Sequence, residues 1–184
     1  MTNKTDVFTK EEMEQIIQGF RKAPDKAVLA DFVEFLFISG LKLGEVSAIS
    51  WNDISPNLKQ MTICKMHVRG TWKETKPRTI TLSKRAIDIL QTRQRKKGSL
   101  VFQDQQGNAI DDSRFRDIWK KALKDLGIEY RTPKAIQLTF AQICLENGVD
   151  LLQICWLTGY TPTFLVEQFP DSVNCKPEAI TSFD

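Results

Sequence analysis

Residues 27–39, AVLADFVEFLFIS, constrain this chain more than any other stretch, because they are apolar everywhere except Asp31, Glu34 and Ser39. A helix with apolar side chains around almost its whole circumference has to be surrounded. The run is too short to cross a bilayer, which takes about 20 apolar residues, and two carboxylates interrupt it. Its surroundings must therefore be other parts of the protein. Pro24 separates the run from what precedes it, and Gly40 supplies the residue type on which helices end. The expectation is a central helix wrapped by the rest of a 184-residue chain, a length that suits one domain with a sizeable core.

What wraps it can be read in order. Thr9 and Glu12 have the spacing of a capping box, and Met13, Ile16, Ile17 and Phe20 then share one face, which predicts an amphipathic helix over 9–22. Segments 60–66 and 78–82 alternate and are rich in β-branched residues, so they pair as a hairpin. Ser83 is the N-cap expected for a helix running to about Lys96, with Ala86, Ile87 and Leu90 inward and Arg93, Arg95, Lys96 and Lys97 at its C-terminal end, where cations suit the helix dipole. Leu100-Val101-Phe102 reads as a short buried segment and Gln106-Gly107-Asn108 as a turn. Asp111-Asp112-Ser113 caps a helix whose stripe is Phe115, Ile118, Trp119, Ala122, Leu123 and Leu126, ending at Gly127. Trp119 belongs to that stripe and is assigned to the core rather than to base stacking. From Thr132 to Phe169 the chain offers a Pro-initiated helix, a break at Gly148, a short apolar helix ending in Leu157-Thr158-Gly159, and a last helix closed by Phe169. The fold class expected is mainly α with a small antiparallel β-sheet, an α+β domain.

Composition narrows the chemistry. Four cysteines, Cys64, Cys144, Cys155 and Cys175, form no C-x-x-C pair, and with a single His no zinc site is expected. They are read as reduced, mostly buried thiols. The N-terminus has no cationic segment followed by an apolar run, so a cytoplasmic protein is expected, with neither cofactor nor metal nor membrane partner. Net charge is only +3, but it is segregated: residues 59–97 hold twelve Lys and Arg against Glu74 and Asp88, a local +10, which leaves −7 for the remainder. Such a patch suits phosphates, although a solvated hairpin surface would look the same.

Two blocks then carry a resemblance. Gly40-Leu41-Lys42-Leu43-Gly44-Glu45 is followed by Trp51, Asp53 and Ile54, and the later block runs Lys134-Ala135-Ile136-Gln137-Leu138-Thr139-Phe140-Ala141, then Leu157-Thr158-Gly159-Tyr160, then Phe169. Together they resemble the catalytic domain of tyrosine recombinases, the phage integrase family, which writes T-G-L-R-x-G-E and L-x-W-x-D-I, then H-x-x-R-H-T-F-A, L-G-H and a nucleophilic Tyr. Seven framework letters of the first block are present: Gly40, Leu41, Gly44, Glu45, Trp51, Asp53 and Ile54. The resemblance covers residues 8–169, with 1–7 and 170–184 as tails and no room for the N-terminal core-binding domain that most integrases carry.

The same resemblance implies where the chemistry would sit. The two Arg slots hold Lys42 and Gln137, the His slots hold Lys134, Leu138 and Tyr160, and the Tyr slot holds Phe169. The family's catalytic Lys lies on a hairpin turn entering the minor groove; Lys73 matches it best and Lys76 second. Strand exchange needs a phenol to form a phosphotyrosine, guanidiniums on the nonbridging oxygens and an acid for the leaving hydroxyl. Phe169 has no oxygen to attack with. The expectation is an integrase-like protein of DNA recombination ancestry that is catalytically inactive and holds double-stranded DNA through Lys42, Lys73, Lys76, Arg78 and Lys134, with Glu45 as a structural signature. Tyr160 is expected to pack on the following helix. Two alternatives stand beside it: a protein-interaction module, self-associating or engaging an active recombinase through its C-terminal tail, and an active recombinase with its nucleophile moved to Tyr160 or Tyr130.

Overall fold

The computed structural model describes residues 6–24, 26, 29–93 and 99–173. Eight helices and one hairpin are found among them: α1 Lys10–Lys22, α2 Ala30–Ser39, α3 Leu43–Ala48, β1 Gln60–Val68, β2 Thr71–Thr81, α4 Lys84–Gln91, α5 Asp112–Asp125, α6 Lys134–Glu146, α7 Leu151–Thr158 and α8 Pro162–Gln168. The mainly helical fold with one small antiparallel sheet is therefore as expected. Helix α2 is the centre: Phe32, Val33, Phe35, Leu36 and Phe37 are all buried, and α1, α3, α4 and α6 pack against it. Its Glu34, a carboxylate in the middle of that core, is held by Arg21 and by a bidentate Arg85, with Nε to Oε1 at 2.6 Å and Nη2 to Oε2 at 3.0 Å. A buried charge persists only when paired in this way.

The cap chemistry acts as predicted. The Thr9 hydroxyl accepts from Glu12 N and the Glu12 carboxylate accepts from Thr9 N, so both free donors at the start of α1 are satisfied. Ser83 and Asp111 cap α4 and α5. Trp119 lies fully in the core, its Nε1 donating to Arg131 O at 2.8 Å and its ring edge-on to Phe8. A second apolar cluster, built from Leu138, Ala141, Ile154, Leu165 and Phe169, joins the last three helices.

Four details differ from the sequence reading. The hairpin is longer than expected, because β1 continues to Val68 and β2 begins at Thr71; its turn is Arg69-Gly70, and the Ile63–Lys65 stretch carries a shift in register. Helix α4 stops at Gln91 instead of near Lys96, and its inner face adds the fully buried Ile89 to Ala86, Leu90 and the half-buried Ile87. Arg93 does not serve the helix end: Nε donates to Val101 O at 2.9 Å, Nη1 meets Asp31 at 3.1 Å, and the guanidinium covers the Phe102 ring. Cys64, Cys144 and Cys155 are half-buried free thiols, with burial pushing the Cys144 thiol up, whereas Arg95, Lys96, Lys97 and Cys175 lie outside the described residues. No helix among the described residues is long and apolar enough to cross a membrane.

Candidate functional site

An open cavity of about 280 Å³ lies where the chain enters α3 and α6. Gly40 ends α2 in the left-handed conformation, φ 67°, and the turn delivers Lys42 exposed and extended just before α3. Pro133 starts α6 with a preset φ, so Lys134 stands exposed on its first turn, Nζ 4.7 Å above the Phe164 ring. Both lysines line the cavity. So does Arg116 of α5, half-exposed and tied to Asp112 at 3.1 Å, a cation whose place on this wall has no local signal in the sequence. Leu36, Leu41, Leu43, Val68 and Ile136 supply apolar walls. The arrangement sets Lys42, Lys134 and the Arg116–Asp112 ion pair around an apolar interior.

Gln137 reaches the same cavity, but its amide is committed. Nε2 donates to Gly40 O and to Thr158 O, both at 2.8 Å, so the side chain ties the end of α2 to the end of α7. Glu45 is also committed, and to a residue expected elsewhere. Arg78 Nη1 and Nη2 donate to its Oε1 and Oε2 at 2.8 and 2.9 Å, with the two side chains 9% and 1% exposed, while Glu45 Oε2 accepts from Lys42 N at 3.0 Å. Arg78 Nη2 also reaches Leu157 O at 3.4 Å. Arg78 is therefore not a free cation facing DNA. It is a buried clamp: both terminal nitrogens are taken up by the Glu45 carboxylate and the Leu157 carbonyl, and Nε is buried without a partner among the described residues.

Lys73 and Lys76 are exposed on β2 and are not among the cavity walls. Lys73 pairs with Met66 inside the strand rather than sitting on the turn. Phe169 is 5% exposed at the C-terminus of α8, enclosed by Leu138, Ile154 and Leu165, and it too is absent from the cavity walls. Tyr160 lines the cavity and packs on Phe164 of the following helix, ring centroids 4.5 Å apart and planes tilted by 35°, as expected. Its hydroxyl is buried without a partner among the described residues, and burial pushes the phenol well above its ordinary pKa. A phenol in that setting resists the ionisation that attack on phosphorus requires. Val173 packs on the second cluster, and residues 174–184 of the C-terminal tail lie outside the described residues.

The profile of the phage integrase family matches residues 6–167. A tyrosine recombinase XerC-like protein of Caldanaerobacter subterraneus subsp. tengcongensis is 27% identical over 189 residues, covering 85% of this chain and 47% of the relative. A tyrosine recombinase XerD of Listeria monocytogenes serotype 4b is 27% identical over 139 residues, covering 70% and 44%. The chain thus spans less than half the length of these curated relatives. Among solved structures, the Tn1549 transposon integrase in complex with a circular intermediate DNA superposes with a TM-score of 0.79 at 16% identity, over 91% of this chain and 62% of that one. The catalytic domain of bacteriophage HP1 integrase superposes at 0.67 and 14% identity, over 97% and 94%. At such identities the likeness establishes the fold.

Proposed function

The chain belongs to the phage integrase family, with the fold of a tyrosine recombinase catalytic domain, and from that premise we propose that it is a catalytically inactive member that holds double-stranded DNA by its phosphates. One observation carries the reading: Lys42, Lys134 and an Arg116 paired with Asp112 stand around an open cavity, while Phe169, which the sequence resemblance sets against the family's nucleophilic Tyr, is an oxygen-free ring shut inside an apolar cluster. Without a nucleophile no phosphotyrosine forms. Lys42 keeps a charge where a guanidinium would give a fork, and the amide of Gln137 is spent on two carbonyls. What these groups still do is attract and seat a phosphate. Lys73 and Lys76 extend the cationic surface along the hairpin. In this reading residues 8–169 form the DNA-holding unit, acting in the cytoplasm on the DNA a recombinase would use.

A mobility-shift titration on a blunt duplex tests it. Four lysine contacts, Lys42, Lys73, Lys76 and Lys134, predict a log K against log salt slope of about −3.6, and removing two of them should flatten it by about 1.8. Absence of binding at low salt would dismiss the reading. A covalent protein–DNA adduct trapped on a nicked duplex would dismiss the inactivity and favour a relocated nucleophile instead. A second reading, a protein-interaction module, is favoured by Leu152 and Trp156, which stand 66% and 53% exposed on α7. Light scattering with and without residues 170–184, alongside an active recombinase, separates the two.

A further inference from the structure

We propose that the tip of the β1–β2 hairpin is a stacking platform for an unpaired nucleobase, with Trp72 as the contacting ring, so that the preferred DNA carries a bulged or single-stranded nucleotide. This rests on the phosphate-holding reading above and specifies which DNA the site takes. Trp72 is 52% exposed, unusual for the largest apolar side chain. The other exposed indole, Trp156, has its Nε1 committed to Thr79 O at 2.9 Å, whereas Trp72 Nε1 has no hydrogen-bond partner among the described residues. Directly across the ladder is His67, only 8% exposed, with ring centroids 5.0 Å apart. The buried imidazole thus lies against an indole about half of whose surface is open to solvent.

The tip around it presents charge at the apex and on the ribbon face opposite the ring. Arg69 and Gly70 both have positive φ, 51° and 72°, the conformation of a two-residue type I′ turn. Asn or Asp is the usual residue at the first position; here a strained Arg puts an exposed guanidinium at the apex. Lys73 follows Trp72 directly, so alternation along the strand sends the two to opposite faces of the ribbon. One face offers a cation for a phosphate and the other a ring for a base. Glu74, the one acid of β2, shares the face of Trp72 two residues on, and Lys65 opposite it in the register is tied to Asp53 at 3.2 Å. Stacking of a base on such a ring tolerates any sequence, because every base has a π-face, and it requires that the base be out of its pair.

Three labelled oligonucleotides of one sequence test this at low salt: a blunt duplex, the duplex with one unpaired nucleotide, and the single strand. The intact chain should bind the last two at least about fivefold more tightly than the blunt duplex, the lower end of what one stacked base contributes. Trp72→Ala should abolish that preference while leaving blunt-duplex binding unchanged, and Trp72→Phe should keep part of it. Equal binding to all three by the intact chain, or a preference that survives Trp72→Ala, overturns the proposal while leaving the phosphate-holding reading intact. Failure to bind any of the three overturns both. Lys42→Ala, by contrast, should weaken all three by the same factor.

Discussion

Replacing Arg78 by Ala should destabilise the domain by about 3–5 kcal/mol, the cost of stranding one member of a buried ion pair. The estimate follows from the geometry: two parallel hydrogen bonds of 2.8 and 2.9 Å join side chains that are 9% and 1% exposed, so solvent screens neither. Without the guanidinium, Glu45 keeps only Lys42 N as a partner. A domain of this size has about 5–15 kcal/mol in total, so the loss is a large share of it. Arg78→Lys keeps the charge without the fork and should cost less, about 1.5–3 kcal/mol. The double variant Arg78→Met with Glu45→Leu leaves no unpaired charge and should be more stable than Arg78→Ala alone. Urea unfolding followed by circular dichroism, with m-values compared across variants, reads these differences. A loss below about 1 kcal/mol, the scale of an exposed pair, would refute the argument. So would an Arg78→Ala protein of undiminished stability that binds DNA more weakly, since that outcome makes Arg78 a DNA contact.

Gly40→Ala should cost at least about 2 kcal/mol, because φ is 67° and a Cβ there would stand 2.3 Å from Phe140 Cδ1; a thermal melt close to that of the parent chain would contradict it. Gln137→Leu strands two buried carbonyls, Gly40 O and Thr158 O, and should cost about 2–4 kcal/mol in the same urea assay. A change under about 1 kcal/mol would mean water replaces the amide. Tyr160 should stay protonated past about pH 10, the ordinary phenol value, in an ultraviolet titration of the chain's two tyrosines. Its folded pKa lies above the unfolded one and its charged form is the deprotonated one, so stability is complete below about pH 10 and falls as pH rises beyond it. Tyr160→Phe should remove that fall; a single transition near the ordinary value in the intact chain would show an exposed phenol.

Cap chemistry and periodicity carried much of the fold into the sequence. Thr9, Ser83 and Asp111 start their helices because each hydroxyl or carboxylate meets a backbone N–H within one turn, and the run before Gly40 is central because no helix that apolar can face water. Lys42 and Lys134 were legible as cations and Phe169 as a ring without oxygen, and only the family resemblance linked them to a site. The roles of the other charges were decided only by tertiary structure. In the sequence Arg78 is one more cation in a basic strand, yet its partner Glu45 is 33 residues away and the pair is sealed from solvent. Arg93 finds Asp31 across 62 residues, and Arg116 reaches the cavity because α5 packs there. The physical reason is range: helix starts and periodic faces depend on neighbours within a turn or two, whereas whether a charge is a surface contact or a buried clamp depends on which distant group the fold places against it.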